Sequence, residues 1–259
     1  MQIIINADDY GKDENATKAI LESFRMGFIT QTTLMVNTPW TKRAVDMAKA
    51  AGYADRIGLH VNLTEGMPLT EEMKSDRRFC DQNGMFIKNG IYTRKWLPYG
   101  REESRIVRNE LEAQIERFLS FALPLRHCDG HHHAHIVLPV FKELSPLLNR
   151  HRFTSVRKPV DCPWESFIHP RVLGWTKGLF LRSLYPTGIK RVCSFGSYEY
   201  YLNHSASGAK VMEIMVHPRY NKEGQLVDFK SEDGRPMQDI ADRMANDGNQ
   251  LVTYMEAEL

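Results

Sequence analysis

Four short segments of this chain that are predicted to be strands contain or run into a carboxylate or an imidazole, and this recurrence constrains the fold more than any other feature. They are Gln2 to Ile5 before Asp8 and Asp9, Ile57 to Val61 around His60, Arg126 to Asp129 before a histidine cluster, and Val211 to Val216 before His217. Short apolar runs bounded by turn formers are typical of buried strands. A core histidine or a polar turn explains each segment alone, but not all four together. We therefore expect the four strand ends to meet at one site.

Helix signals separate these strands. The first predicted helix has Asp13 as its N-cap, runs to Met26 and stops at Gly27. Further helices are predicted over 41–51, 102–121, from Pro139 onward, and over 236–245, and further strands over 30–36, 155–158, 192–195 and 250–254. Such alternation implies parallel strands joined by right-handed crossovers. The sequence thus predicts a single α/β domain over residues 1–259, a (β/α) TIM-barrel-like fold that is either fully closed or distorted and incompletely closed.

The active site of such a barrel lies at the C-terminal ends of its strands. The four polar strand ends fall at that edge. Two stretches, 62–100 and 160–185, are long and irregular in pattern. Long segments of this kind in a compact domain are usually functional. We expect both to form loops over the active-site face.

The bulk composition excludes several function classes. The net charge is +2, with 42% hydrophobic and 25% charged residues, which is ordinary for a globular protein and gives no argument for nucleic acid or membrane binding. No 18-residue apolar run, signal peptide or nucleotide-binding glycine motif is recognisable. The cysteines, Cys80, Cys128, Cys162 and Cys193, are scattered without pair spacing. They are expected to be reduced thiols in a cytoplasmic protein, with Cys128 packed rather than reactive.

Residues 127–135 hold five of the ten histidines, together with Asp129. Imidazole is the commonest metal ligand in proteins, so this density predicts a metal site, with a histidine-rich surface loop as the alternative. Asp8 and Asp9 are adjacent carboxylates at a strand end. Their repulsion is accounted for if one binds a cation and the other titrates, whereas a helix-capping turn is the competing interpretation.

The chain resembles the YdjC-like carbohydrate deacetylases, the group that contains the chitooligosaccharide deacetylases. The resemblance lies in Asn6-Ala7-Asp8-Asp9-Tyr10-Gly11, in Gly58-Leu59-His60-Val61-Asn62-Leu63-Thr64 with Pro68-Leu69, in residues 127–135, and in Glu213 to Pro218. It implies a TIM-barrel-like fold and metal-dependent removal of an N-acetyl group. It further implies Asp9, His60 and His131 as ligands of one divalent ion, usually magnesium. A donor set of two imidazoles and one carboxylate instead favours zinc or another transition metal.

Roles for the remaining polar residues follow from this resemblance. Asp8 is expected to be the general base and His217 the general acid. Asp129 is expected to orient a ligating histidine. If the cluster is extended, His133 and His135 alternate with His131, and they are expected either to contact the sugar or to support the ligating side chains from behind. Arg157 is expected to bind a sugar hydroxyl or phosphate, or else to be a solvated surface arginine. The aromatic residues that either stack on sugar rings or pack within the loops are Trp96, Tyr99, Trp164 and Trp175.

The expected substrate is an acetylated amino sugar or a short chitooligosaccharide, with or without a phosphate. Two alternatives stay open: another barrel metal hydrolase such as an amidohydrolase or phosphoesterase, whose HxH motif residues 131–135 resemble, and a non-catalytic sugar- or metal-binding protein. A small carbohydrate is the expected partner, with neither nucleic acid nor membrane, and the chain is either a monomer or a homodimer.

Overall fold

The structure is a computed structural model that describes residues 1–93, 98–157, 189–190, 194–204, 209–231 and 233–259. Its strands are β1 (Gln2–Tyr10), β2 (Gln31–Leu34), β3 (Ile57–Val61), β4 (His127–Gly130), β5 (Ser155–Val156), β6 (Ser194–Gly196), β7 (Val211–Val216), β8 (Pro218–Tyr220), β9 (Leu226–Asp228) and β10 (Gln250–Leu251). Its α-helices are α1 (Glu14–Arg25), α2 (Thr41–Ala50), α3 (Glu71–Ser75), α4 (Arg101–Ser120), α5 (Leu138–Arg150), α6 (Tyr198–His204) and α7 (Met237–Asn246). Short 3₁₀ turns cover Ala54–Arg56, Gly90–Tyr92 and His131–Ile136.

The main sheet is parallel, with strand order β5-β4-β3-β2-β1-β7-β6, and β10 pairs with the start of β1. Over the described residues it forms a curled half-barrel, so the expected α/β barrel-like fold is confirmed. Beyond β5, backbone hydrogen bonds continue to Lys190, whose N–H donates to Thr154 O at 2.8 Å. The strands β8 and β9 form a separate antiparallel hairpin directly after β7.

The predicted elements form for the expected local reasons. Residues 3–10 of β1 are all buried, as a strand covered on both faces of a parallel sheet requires. The Asp13 carboxylate accepts a hydrogen bond from Ala16 N at 2.9 Å and caps α1, and Gly27 follows the helix with a φ of +73°. The apolar faces of α4 and α5 pack in the main core through Leu111 and Leu144, among others.

The described parts of the segment 62–100, residues 62–93 and 98–100, contain more regular structure than the sequence indicates. The segment includes α3, a 3₁₀ turn and an isolated bridge between Cys80 and Phe86. Glu110 of α4 anchors it by accepting hydrogen bonds from Leu69 N at 3.0 Å and Thr70 N at 2.9 Å. Tyr99 packs edge-on against Phe79, with ring centroids 5.8 Å apart, which matches the packing alternative. The stretch 160–185, the residues Trp96, Trp164, Trp175, Cys162 and Cys193, and the position 94–97 lie outside the described residues.

The two described cysteines, Cys80 and Cys128, are buried free thiols. Burial raises the pKa of the Cys128 thiol well above its ordinary value, as the packed interpretation predicts. Among the helices in the described ranges, none combines the length and the apolar character needed to cross a bilayer.

His127 begins β4 as a buried residue and stacks on Tyr254 with ring centroids 3.7 Å apart. Its Nδ1 lies 2.9 Å from Ser155 Oγ. Burial lowers the pKa of His127 well below its ordinary value, so the folded chain keeps this ring neutral. The unfolded chain protonates it below about pH 6.5. The folded state therefore loses stability through this residue as the pH falls below that value.

The substitution His127→Phe should reduce the acid sensitivity of folding. Between pH 7 and pH 5 the variant should lose about 2 kcal/mol less of its free energy of unfolding than the parent, because one proton uptake by the unfolded chain disappears. Urea denaturation of the metal-free proteins at both pH values measures this, with each protein's own stability at pH 7 as the reference. Equal losses in the two proteins would contradict the assignment of a neutral His127.

Candidate active site

The end of β1 brings two adjacent carboxylates to the same side of the sheet. Neighbouring residues of a regular strand point to opposite faces. Here the pairing of β1 with β2 shifts register between Ala7 and Tyr10, and Asp9 has a φ of +71°. This left-handed conformation is uncommon outside glycine, and aspartate tolerates it better than most residues. The irregularity directs Asp8 toward Arg157 and His217, and Asp9 toward His60 and His131.

Asp9, His60 and His131 converge on one small volume. Asp9 Oδ1 lies 2.7 Å from His131 Nδ1 and 3.4 Å from His60 Nε2. One ligand atom from each residue lies within 4.8 Å of the other two, and all three side chains are buried. Asp129 Oδ1, 2.7 Å from His60 Nδ1, occupies the other side of that ring. The structure therefore brings together the three residues that the family resemblance implies as metal ligands, with His60 Nε2 directed at Asp9.

The electrostatics of this cluster suit a cation. Burial opposes the charge on His60, but Asp129 outweighs it and raises the pKa of His60 to about 10. Burial likewise opposes ionisation of Asp9, yet its contacts with His131 and His60 hold the pKa of that carboxyl well below its ordinary value. Asp8 and Asp129 add two further buried carboxylates. Surroundings that stabilise a positive imidazole to this degree would also attract a divalent ion.

Arg157 follows β5 and lies at the centre of the site. Its side chain is 0% exposed, so the expectation of a solvated surface arginine is wrong. Its Nη1 and Nη2 donate to the two oxygens of Asp8 at 2.8 and 2.6 Å, and its Nε donates to Glu213 Oε1 at 2.8 Å. Nη2 also lies 2.7 Å from Asp129 Oδ2. The N–H groups face protein carboxylates rather than the pocket, so the expected contact with a sugar hydroxyl or phosphate finds no support.

The pairing with Arg157 fixes the state of Asp8. Burial opposes ionisation of this carboxyl, but the bidentate guanidinium outweighs burial and holds the pKa of Asp8 far below its ordinary value. Oδ1 accepts from Asn6 Nδ2 at 2.9 Å and from Arg157, whereas Oδ2 accepts from Arg157 alone among the described residues. Oδ2 is thus the oxygen that keeps capacity to accept a further hydrogen bond.

His217 follows β7 and faces Asp8. Its Nε2 lies 4.0 Å from Asp8 Oδ2, and its Nδ1 lies 4.0 Å from Asp228 Oδ1. The same Asp228 oxygen accepts a hydrogen bond from the His217 backbone N–H at 2.8 Å, which ties the β8–β9 hairpin to this strand end. Burial lowers the pKa of His217 to about 3, so the imidazole is neutral near pH 7.

The histidine cluster is not extended beyond Gly130, so the expected alternation of its side chains is wrong. His132 and His133 have φ values of +50° and +57°, which turn the chain into the 3₁₀ segment His131–Ile136. His135 is consequently fully buried beside Gly130 and does not line the pocket, so sugar contact by this residue finds no support and its supporting role stays a prediction. His133 does line the pocket. Backbone strain of this kind is typical of functional sites.

A pocket of about 420 Å³ opens onto these groups, within the usual range for small-ligand sites. Sequence reasoning missed Lys230, which follows β9, and Tyr92 and Asn89, which come from the segment 62–100. No sequence motif surrounds these three residues. The full set of residues that line the pocket is Asp8, Asn89, Tyr92, His131, His132, His133, Met215, His217 and Lys230.

Sequence reasoning also missed Glu65, although it directly follows the His60 motif. Its carboxylate contacts both Lys12 and His131. The contact of the buried Glu213 with Arg157 was not predicted either, because the sequence around a carboxylate in an apolar strand does not indicate which residue it pairs with. Burial raises the pKa of Glu213 to about 7, even though Arg157 lowers it.

Comparison with known proteins gives the family. A family model described as "YdjC-like protein" matches residues 2–255. The chain belongs to the YdjC-like family. A protein named Carbohydrate deacetylase 1 from Listeria innocua is 34% identical over 221 residues, which cover 85% of this chain and 82% of the relative. A Clostridium beijerinckii protein named carbohydrate deacetylase is 36% identical over 151 residues, 58% of each chain. The resemblance to the YdjC-like carbohydrate deacetylases, which the sequence motifs indicated, is thus confirmed.

Solved structures agree on the fold. A crystal structure of an Enterococcus faecalis protein named for cellobiose-phosphate cleavage superposes with a TM-score of 0.73 at 20% identity, covering 98% of this chain and 97% of the other. A Thermus thermophilus protein named lactam utilization protein superposes with a TM-score of 0.53 at 12% identity, covering 98% and 100%. At these identities, the similarity of this chain to the two solved structures concerns the fold alone.

Replacing Arg157 should destabilise the protein strongly. Arg157→Met leaves the buried carboxylates Asp8 and Asp129 without their cation, and breaking a buried ion pair typically costs about 3–5 kcal/mol. Urea denaturation at pH 7 measures the change in the free energy of unfolding. Arg105→Met is the matched control, because Arg105 forms an exposed ion pair with Glu72 and should change stability little. Equal stability of the two variants would contradict the central position of Arg157.

Proposed function

We propose that this protein is a divalent-metal-dependent carbohydrate deacetylase. It removes the N-acetyl group of an acetylated amino sugar or a short chitooligosaccharide and releases acetate. The observation that carries the proposal is the convergence of a candidate metal triad, Asp9, His60 and His131, with Asp8 and His217 at the edge of one pocket. The family and the relatives named carbohydrate deacetylase support the same activity.

Asp9, His60 and His131 would hold the ion. When bound, a divalent ion supplies Lewis-acid polarisation of the acetamide carbonyl and a water of lowered pKa. Family resemblance favours magnesium. The two imidazole donors favour zinc, iron, cobalt or manganese, because magnesium prefers oxygen ligands throughout.

Asp8 is the proposed general base. Arg157 keeps the Asp8 carboxylate ionised. Oδ1 of Asp8 accepts hydrogen bonds from both Asn6 and Arg157, whereas Oδ2 accepts one, from Arg157, among the described residues. Oδ2 is therefore the oxygen proposed to take the proton of the attacking water. The fixed pairing also prevents the carboxylate from turning toward the metal triad, so that the two adjacent aspartates keep separate tasks.

His217 is the proposed general acid. Because burial keeps its imidazole neutral near pH 7, it must gain a proton before it can donate one. Asp8 is the proposed source, with Oδ2 4.0 Å from His217 Nε2. In this scheme the proton that Asp8 takes from water passes to His217 and then to the leaving nitrogen, so that the amine departs in neutral form.

The pocket also bears on the substrate. Lys230 is a lining cation and makes no ion pair with the described residues, so the proposed substrate class includes phosphorylated sugars. The Enterococcus faecalis relative in fold is named for cleavage of a sugar phosphate, which supports testing one. The amidohydrolase alternative is weaker, because only His131 of the three alternating histidines joins the triad and His135 is buried away from the pocket.

A substrate panel tests the function directly. N-acetylglucosamine, its short β-1,4 oligomers and their phosphates are incubated with the metal-loaded enzyme, and acetate and phosphate are both assayed. Acetate release with the phosphate retained supports the deacetylase. Phosphate release without acetate would favour a phosphoesterase, and metal binding without any turnover would favour a non-catalytic binding protein. A cytoplasmic location and the choice between monomer and homodimer stay predictions.

Substituting each of the two adjacent aspartates should have a different effect. Asp8→Asn should abolish turnover while leaving metal content nearly intact, because the amide keeps the shape but cannot accept a proton. Asp9→Asn should instead lose the metal. Elemental analysis of the purified variants, combined with acetate assays, measures both effects. Loss of metal from Asp8→Asn would show that the two roles had been assigned the wrong way round.

Removing His217 should affect amides more than esters. His217→Ala should lower kcat for the acetamide by roughly 10²-fold or more with metal content unchanged, because an amine leaves poorly unless it is protonated. An acetyl ester of the same sugar has a better leaving group and should lose much less. Steady-state kinetics on the two substrates measures the difference. An equal loss on both would indicate substrate positioning instead of proton donation.

A further inference from the structure

His131 is held between two carboxylates that contact its opposite ring nitrogens. Nδ1 lies 2.7 Å from Asp9 Oδ1, and Nε2 lies 2.8 Å from Glu65 Oε2. A neutral imidazole carries a single N–H, so only one of these contacts can be donated by the ring. A proton on Nδ1 would occupy the position from which this ring contributes to the triad with Asp9 and His60. A proton on Nε2 leaves Nδ1 with its lone pair directed at Asp9.

The backbone around Glu65 is built to place its carboxylate. Asn62 Oδ1 accepts hydrogen bonds from Thr64 N at 3.1 Å and Glu65 N at 3.2 Å, and Asn62 Nδ2 donates to Glu65 O at 2.6 Å. Asn62 is in turn fixed to α4, since Gln114 bonds both its backbone N–H and its carbonyl. The Glu65 side chain is 48% exposed, yet the loop that carries it is anchored to the core.

Lys12 fixes the carboxylate from the other side. Its Nζ lies 2.7 Å from Glu65 Oε2 and 3.7 Å from Asp9 Oδ2. The ammonium therefore links the loop after β3 to the turn after β1, and it favours an ionised Glu65, which can only accept hydrogen bonds. An ionised Glu65 requires that His131 be the donor in their contact.

The second imidazole of the triad shows the same arrangement. Asp129 Oδ1 lies 2.7 Å from His60 Nδ1, on the far side of the ring from Asp9. Metal-ligating histidines commonly donate their other N–H to a carboxylate, which fixes the tautomer and the ring orientation.

We propose that Glu65 is a positioning residue that holds His131 in its Nε2–H tautomer, with Nδ1 free to bind the ion. This inference rests on the proposed metal site. Lys12 supports it by keeping the Glu65 carboxylate in place. Glu65 then acts on the metal through His131 and is not itself a ligand of the ion bound by the triad.

Zinc affinity, measured by competition with a chromophoric chelator, tests the proposal without reference to turnover. Glu65→Ala should weaken zinc binding by about 10–100-fold. Glu65→Gln should recover most of that loss, because its amide oxygen can still accept from Nε2–H. Glu71→Ala is the matched control, since Glu71 is an exposed carboxylate of α3 that pairs with Lys74 away from the pocket, and its affinity should equal that of the parent. Thermal denaturation of each metal-free variant verifies folding.

Nitrogen-15 spectra of the imidazoles give an independent readout. In the zinc-loaded parent, His131, assigned by the loss of its signals in His131→Ala, should carry its proton on Nε2, with the downfield proton shift of a hydrogen bond to a carboxylate. Glu65→Ala should lose that shift, whereas Glu65→Gln should keep most of it. Absence of zinc binding by the parent would instead overturn the proposed metal site.

Three outcomes would overturn the inference while leaving the metal site intact. The first is an affinity of Glu65→Ala equal to that of the parent. The second is an affinity of Glu65→Gln as low as that of Glu65→Ala, which would assign the effect to charge. The third is a parent that binds two zinc ions of which Glu65→Ala loses one, because Glu65, His131 and His132 also lie close enough to hold an ion.

Discussion

The site depends on one buried arginine. Arg157 lies where carboxylates from three strands converge: Asp8 of β1, Asp129 of β4 and Glu213 of β7. Buried like charges at such distances repel strongly, and desolvation adds to the cost of each. A guanidinium with five N–H donors can satisfy several carboxylates at once, which a lysine cannot do in this geometry. The half-barrel can therefore keep an anionic interior at its active-site edge only with this side chain in place.

One of the carboxylates that Arg157 contacts, Asp129, also contacts His60. Asp129 contacts Arg157 through Oδ2 and His60 through Oδ1, so the same residue joins the buried ion pair to the candidate metal triad. Register explains this link, because His60 of β3 is paired directly with Asp129 of β4. A change at either position would disturb both halves of the site.

Much of this arrangement is predictable from the sequence. The alternation of strand and helix signals predicts parallel strands, and parallel strands place their C-terminal ends at one edge, so Asp8, Asp9, His60, His131 and His217 were expected to meet. The position of Arg157 was not predictable, because an arginine after a two-residue strand is usually exposed, and only the convergence of distant carboxylates buries it. The conformation of the histidine cluster was misjudged because extended alternation is the default after a strand. Glu65 and Lys230 escaped because each sits in a loop whose path depends on tertiary contacts.

The backbone irregularity at Asp9 brings two adjacent carboxylates to the same edge of the sheet. In a regular strand Asp8 and Asp9 would face opposite sides of the sheet, and only one could reach the pocket. The register shift and the positive φ at Asp9 direct both toward the C-terminal edge, one to an arginine and the other to two imidazoles. Each carboxylate is thus held ionised by a different partner, Asp8 by the arginine and Asp9 by the two imidazoles. The strain is confined to one residue, whereas the contacts that it makes possible reach side chains on β3 and side chains that follow β4, β5 and β7.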